Sequence, residues 1–397
     1  MTVEEKRHPF FISCARNLEN MLLAELKELG VTEASNGRAV HLGVEAELTR
    51  EEVYRVVYGS LLASRVLRPL GSFDCTSEED LYENALDFSW DALIKPDQTF
   101  KVTASVADSA LTHSHYAALK LKDAIVDSLR EARGERPDVD KDNPDIRINL
   151  FLHRDKATIS LYYSDGIMHK RGYRPHAVEA PLKENLAAAM IRLARWNGTE
   201  PLRDFFCGSG TILLEAAMVA TKTPGGWFRQ WQGFESLPDF NQETWDAVKD
   251  ELDAKIVPLT PGLIGGADID SSSVLAARAN IKTTPFHGAI AIGLADFKKI
   301  DGNFAGSVIV TNPPYGVRLG GEEAEVHKLY EDFGYFLKMK CPGSRAVILF
   351  PEPKFEKDIW FKPLRGMFLD NGALDVRANV YDVQGQKKKE APAAEAA

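Results

Sequence analysis

The stretch Asp204-Phe205-Phe206-Cys207-Gly208-Ser209-Gly210-Thr211, followed by Ile-Leu-Leu-Glu-Ala-Ala, constrains this chain more than any other. Leu202, Phe205 and Phe206 read as the end of a buried strand, because an apolar run bounded by a glycine-rich turn suits a parallel sheet. The glycines let the backbone turn sharply and approach a ligand that a Cβ would exclude. Thr211 opens an apolar helix whose unpaired N–H groups point back at that ligand. Strand, glycine loop and helix in this order make the nucleotide-type cradle of a doubly wound α/β fold. A plain strand-to-helix turn would use the same residues.

Two later stretches narrow the reading. Gly265-Gly266-Ala267-Asp268-Ile269-Asp270 closes a second apolar run with carboxylates suited to a ribose diol. Val308-Ile309-Val310-Thr311 is a β-branched strand that runs into Asn312-Pro313-Pro314-Tyr315. Taken in order, the glycine loop, Asp268, Ala295-Asp296 and the Asn-Pro-Pro-Tyr turn resemble class I S-adenosylmethionine-dependent methyltransferases acting on an exocyclic amine. The resemblance implies a Rossmann-like domain that holds the cofactor S-adenosyl-L-methionine. It places Asp204 near the methionine end, Gly208, Gly210 and Thr211 at the turn, and Asp268 on the ribose. Asp296 falls at the adenine amine, Phe297 against the adenine ring, and Asn312 borders the cofactor.

The same resemblance makes Asn312, Pro313 and Tyr315 the catalytic residues. A guanine N2 amine is a poor nucleophile because its lone pair is delocalised into the ring. Asn312 Oδ1 and the Pro313 carbonyl would accept its two hydrogens and stabilise the charge that develops on nitrogen. Two prolines withhold backbone donors and leave carbonyls to face the amine, while Tyr315 would stack on an extruded base. Asp270 also reads as the cap of a helix that begins at Ser271. NAD is disfavoured, since the loop lacks the full G-x-G-x-x-G spacing.

At 397 residues and 44% hydrophobic content the chain has room for two or three cores. No apolar run approaches the roughly 20 residues of a membrane helix, and Met1-Thr2-Val3-Glu4-Glu5-Lys6 does not lead into a signal segment. Cys14, Cys75, Cys207 and Cys341 are scattered without C-x-x-C spacing, so neither a disulfide framework nor a zinc site is expected. The expectation is a cytoplasmic protein without metal. A net charge of −10 argues against indiscriminate nucleic-acid binding, but phosphate contacts need only a local basic surface.

Residues 8–60 alternate short strands and helices. Between 78 and 165 the alternation repeats, with a helix from His115 to Arg133 and a hairpin around His153-Arg154-Asp155-Lys156. Lys120-Leu121-Lys122-Asp123-Ala124-Ile125, the strand from Asp145 to Leu150 and His169-Lys170-Arg171-Gly172-Tyr173-Arg174 together resemble a THUMP domain, an RNA-binding module, preceded by a ferredoxin-like segment. Arg154, Lys156, Lys170, Arg171 and Arg174 form a local basic stretch, and the interleaved Tyr162, Tyr163 and Tyr173 would suit stacking on unpaired bases. A solvated hairpin and linker explains the same charges.

With the catalytic half, residues 8–383 resemble the bacterial guanine N2-methyltransferases of 23S ribosomal RNA (the RlmL type), here with a single methyltransferase domain. The expected division is a ferredoxin-like segment over 1–60, a THUMP domain over 61–165, a linker over 166–180, a methyltransferase domain over 181–383 and a disordered tail over 384–397. An amphipathic helix over 181–196 leads into the catalytic part. Residues 224–259 interrupt the βα rhythm, as an insertion bordering an RNA channel or as a surface excursion. The expected partner is 23S ribosomal RNA or a large-subunit assembly intermediate. Transfer-RNA guanine N2-methylation and a non-catalytic RNA-binding assembly factor remain open.

Overall fold

The computed structural model describes residues 6–134, 138–140, 142–174, 182–315, 323–371 and 374–384. In chain order the first elements are β1 (His8–Ser13), α1 (Glu19–Glu28), β2 (Arg38–Val40), β3 (Gly43–Leu48), α2 (Arg50–Gly59) and β4 (Arg65–Asp74). Next come α3 (Glu78–Leu86), α4 (Trp90–Leu93), β5 (Phe100–Ala107), α5 (Ser114–Arg133), β6 (Ile146–His153) and β7 (Lys156–Tyr162). Then follow α6 (Glu184–Leu193), β8 (Leu202–Asp204), α7 (Thr211–Thr221), α8 (Gln242–Asp253), β9 (Ile264–Asp268), α9 (Ser271–Lys282) and β10 (Ala291–Leu294). The last are β11 (Val308–Thr311), α10 (Glu323–Lys340), β12 (Arg345–Phe350), β13 (Arg365–Asn371) and β14 (Leu374–Asp382).

These elements form two compact units, one of Met1–Gly172 with Pro224–Lys255, the other of Tyr173–Thr223 with Ile256–Ala397. The expected insertion is thus bound to the first unit. Gly225 N and Gly226 N donate to the carbonyls of Gly59 and Tyr58 at the end of α2. Phe234 stacks on Tyr54 at 4.1 Å, and Trp245 stands edge-on to Tyr58 at 5.2 Å. Burying aromatic rings of this size contributes on the order of 1.5–3 kcal/mol each, so the insertion is a packed part of this core rather than a loose excursion.

The first unit carries one seven-stranded sheet in the order β2-β3-β1-β4-β7-β6-β5. The expected ferredoxin-like and THUMP-like stretches share it, because β4 pairs with β1 on one side and with β7 on the other. Alternation along β6 places Ile146, Ile148, Leu150 and Leu152 in the core, and the opposite face is open. The hairpin joining β6 to β7 turns through Arg154 and Asp155, both at positive φ (51° and 57°), as a tight two-residue loop requires.

The second unit has the strand order β10-β9-β8-β11-β12-β14-β13. β8 to β12 run parallel, and β14 is antiparallel to both β12 and β13. This is the doubly wound architecture that the glycine loop implied, with the order reversing between β8 and β11. One local expectation shifts. β8 ends at Asp204, and Phe205 and Phe206 belong to the turn that follows. α6 keeps the expected division into apolar and polar faces but is buried on nearly every side, Glu184 and Asn185 included, with Arg192 alone among its residues left partly exposed. The tail over 384–397 lies outside the described residues beyond Gln384.

Candidate active site

The ordered motifs converge because each follows the carboxyl end of a strand of one sheet. β8 ends in Asp204, β9 in Asp268 and β11 in Thr311, with Asn312 next, and Asp296 lies just past β10. In an open α/β sheet the strand-order reversal leaves a crevice at these ends, and here it falls between β8 and β11.

Gly208 has φ of +52°, and a Cβ built there would meet no atom of the described residues within 4 Å, which leaves room for close approach to the backbone. Gly210, at φ +86°, caps α7 and turns the chain into Thr211. Asp268 reaches across from β9, its Oδ2 accepting from Gly208 N at 2.8 Å and its Oδ1 from Asp270 N at 3.0 Å. Each carboxylate oxygen accepts more than one bond, so these contacts orient Asp268 and leave it able to take hydroxyl donors. Asp270 caps α9, accepting from Ser272 N and Ser273 N, the simpler of its two sequence readings. Asn280 carries no motif in the sequence; from within α9 its Nδ2 donates to the Ser209 carbonyl at 3.1 Å and holds the loop from behind.

Asp204 is buried and accepts from Thr311 Oγ1 at 2.6 Å and from Phe206 N at 3.1 Å. Burial pushes its carboxyl up to about 7, with the charge of Asp268 adding to the rise and the two hydrogen bonds opposing it. Asp296 caps a short 3-10 turn, Oδ1 accepting from Lys298 N at 3.0 Å. Phe297 is a core residue, 4% exposed, with its ring 5.2 Å from Phe206 and 5.4 Å from Phe333. It anchors the turn that carries Asp296. Pro313 is buried, and Asn312 Oδ1 accepts the Tyr315 hydroxyl at 2.9 Å within the motif itself. Burial raises the Cys207 thiol well above its ordinary value, which suits a packing residue rather than a nucleophile.

The basic residues do not form one surface. Arg154, Lys156 and Lys170 are exposed. Arg171 is fully buried and donates to the Met168 and Leu61 carbonyls. Arg174 pairs with Glu184 at 2.9 Å and donates to Thr211 Oγ1 at 2.6 Å, so it braces the start of α7. These two are corrected from phosphate ligands to structural cations, whose own carbonyl and carboxylate partners take their donors. Tyr162, Tyr163 and Tyr173 are buried as well, with Tyr173 donating to Glu215 at 2.7 Å. On the open face of the first sheet it is instead Phe151 that is exposed, between Ser105 of β5 and Thr158 of β7, with the His153 ring 5.9 Å away.

With this geometry established, the comparisons with known proteins are specific. The RMKL-like methyltransferase domain family matches residues 171–375. The chain belongs to that family. Residues 75–162 match the THUMP domain and residues 9–67 the RlmL ferredoxin-like domain, so the RMKL-like catalytic part follows both front modules. A relative from Vibrio campbellii, the ribosomal RNA large subunit methyltransferase K/L, is 35% identical over 387 residues, 96% of this chain and 54% of that protein. The chain thus spans about half the length of the curated relatives it matches. The crystal structure of SMU.472 complexed with SAH superposes with a TM-score of 0.83 at 26% identity, covering 97% of this chain and 100% of that one. A Listeria monocytogenes protein described as a predicted N6-adenine-specific DNA methylase reaches a TM-score of 0.82 at 26% identity, over 96% of this chain and 97% of its own. RMKL-like methyltransferases use S-adenosylmethionine, and the residues at the strand ends fit it: an open glycine turn, an oriented carboxylate and a helix start. Among the described residues no helix is long and apolar enough to cross a membrane.

Proposed function

We propose that this chain methylates the exocyclic N2 of a guanine in 23S ribosomal RNA. The observation that carries the proposal is the position of Asn312 at the strand-order reversal, joined through Thr311 and Asp204 to the strand that leads into the glycine loop. The match to an RNA-binding THUMP domain and the ribosomal RNA relatives support RNA as the substrate.

S-adenosylmethionine, when bound, supplies an electrophilic methyl carbon. Gly208 and Gly210 give it close backbone approach, Asp268 takes the ribose hydroxyls, and Asp296 takes the adenine amine. Asn312 Oδ1 has two lone pairs. The Tyr315 hydroxyl uses one and leaves the other for an amine hydrogen, and the Pro313 carbonyl takes the second hydrogen. Fixing both hydrogens would direct the nitrogen lone pair toward the methyl donor and favour the positive charge that grows on nitrogen; as the new carbon–nitrogen bond replaces the methyl–sulfur bond, one of the two hydrogens would leave as a proton to water. Tyr315, tied to Asn312, presents its ring to the extruded base. On the first unit, exposed Phe151 with Arg154 and Lys156 nearby in sequence gives unpaired RNA a stacking and phosphate contact.

The test is methyl transfer from labelled cofactor to 23S ribosomal RNA, transfer RNA and DNA, followed by nucleoside digestion and chromatography. N2-methylguanosine from the ribosomal substrate is expected. N6-methyladenosine would transfer the same amine chemistry to adenine and overturn the guanine assignment. Product from transfer RNA alone would overturn the ribosomal one.

A further inference from the structure

A cleft of about 810 Å³ in the second unit lies away from the candidate active site. Its walls include Val308, the first residue of β11, and Arg345, the first of β12. It therefore opens at the amino ends of strands whose carboxyl ends carry the Asn312 motif. Cofactors of doubly wound sheets bind at the carboxyl ends, so the cofactor reading leaves this cleft unexplained.

Three arginines line it, Arg195, Arg345 and Arg365, with the carboxylates Glu200 and Asp382. Arg345 pairs with Glu200 at 3.2 Å, yet its Nε is buried without a hydrogen-bond partner among the described residues. Arg365 uses one Nη on the Leu193 carbonyl at 2.5 Å, which fixes the side chain without neutralising it. Arg195 is exposed, held at positive φ (50°) beyond the end of α6. Desolvation first, then the like charges of Arg195 and Arg345, pull the Arg365 guanidinium below its ordinary value, so the three cations sense one another. Against the two carboxylates, Glu200 and Asp382, the three guanidinium groups leave an excess of one positive charge in one concave place.

We infer that this cleft binds a phosphate group, supplied by the backbone of the RNA substrate. Planar guanidinium forks match phosphate oxygens bidentately, and three guanidinium groups lining one cleft suit a multiply charged tetrahedral anion better than a single carboxylate. An arriving phosphate relieves the mutual repulsion of the cations. The RNA source rests on the proposed function; the phosphate chemistry does not. The position implies that RNA engaged at Asn312 also reaches the opposite end of the same sheet.

The experiment uses the full chain, with Arg195→Glu and Arg195→Lys as variants. Arg195 is exposed, and a glutamate beside Arg345 and Arg365 supplies the missing negative charge, so Arg195→Glu is expected to fold. Unchanged S-adenosylmethionine affinity checks that it has. In one arm the thermal midpoint is measured in sodium phosphate and in sodium chloride of equal ionic strength. Phosphate should raise the midpoint of the wild type most, that of Arg195→Lys less, because an ammonium keeps the charge without the fork, and that of Arg195→Glu not at all. In the other arm a 23S ribosomal RNA fragment is titrated at several salt concentrations. Arg195→Glu should reduce the slope of log affinity against log salt by about 1–2, roughly one for each phosphate that the variant no longer neutralises. A phosphate response with an unchanged RNA slope would retain the phosphate site and overturn RNA as its source. No difference in either arm would overturn the site. If the wild type itself does not bind ribosomal RNA, the proposed function fails, and the phosphate arm alone decides the cleft.

Discussion

The hydroxyl of Thr311 donates to the buried carboxylate of Asp204 at 2.6 Å, joining the strand before the Asn312 motif to the strand before the glycine loop. This one bond couples the two halves of the candidate site. Thr311→Val keeps the shape and removes the donor, leaving a buried carboxylate short of a partner. It should cost about 1–3 kcal/mol of stability, measured by chemical denaturation. A loss within error would show that Phe206 N alone satisfies Asp204.

Asp204 also sets a pH dependence. Its carboxyl is raised from 3.8 to about 7 by burial, so between those values the native chain holds a proton that the unfolded chain has released. Stability therefore falls as pH rises through that window, by up to about 1.4 kcal/mol per pH unit from this group, and levels off above about 7. Asp204→Asn should abolish this component. Denaturation of both proteins between pH 5 and 8 should show the wild type losing ground to the variant; parallel curves would mean that Asp204 titrates like an unfolded aspartate.

Asp268 holds the glycine loop through Gly208 N, and the proposed function also gives it the ribose hydroxyls. Asp268→Ala should weaken S-adenosylmethionine binding by about 1–3 kcal/mol, the cost of unpaired buried hydroxyls and an unheld loop amide. Calorimetry with unchanged affinity would remove Asp268 from the site. Asp270→Ala, which removes a helix cap, should lower stability and leave affinity nearly intact.

The Asn312–Tyr315 hydrogen bond separates chemistry from capture. Asn312→Ala should lower the single-turnover methylation rate by roughly 10²–10³, the range for one preorganised transition-state group, with little change in RNA affinity. Tyr315→Ala should lose both rate and base capture. Tyr315→Phe keeps the ring and frees Asn312 Oδ1 of one donor, so most activity should remain. Near-normal rates for Asn312→Ala at saturation would leave the Asn-Pro-Pro-Tyr turn with only a structural role.

The catalytic half was legible because each motif sits at the end of its own strand, where glycine, proline and acidic residues interrupt apolar runs. Spacing alone could not reveal what those residues touch. Phe297 looks available beside Asp296, yet residues from α10, thirty-six and more positions on, enclose its ring. Arg171 and Arg174 look like RNA ligands because they adjoin Lys170 and Tyr173 in the chain. Leu61 and Glu184, distant or across a helix start, supply the acceptors that fix them. Asn280 and the three-arginine cleft left no sequence signal at all, since their members come from separate elements.

The insertion gives the last prediction. Removing residues 1–165 would strip Pro224–Lys255 of the α2 surface that it covers, exposing Phe234 and Trp245, both buried in the native chain. A truncated protein that keeps the insertion should therefore aggregate, since exposed aromatic surface of that size promotes association. The second unit itself offers a clean join. Val257 N donates to the Thr221 carbonyl at 2.9 Å, so the two ends of the excursion lie side by side. Replacing 224–255 by a short glycine-serine linker spans that gap at small entropic cost. The linked variant, lacking 1–165 as well, should be monomeric by light scattering and bind S-adenosylmethionine, while failing to methylate structured RNA. Its companion with the insertion retained should elute as aggregate. If both behave as monomers with equal cofactor affinity, the Tyr54–Phe234 and Tyr58–Trp245 contacts contribute nothing that the catalytic unit depends on, and the insertion is independent of the front half.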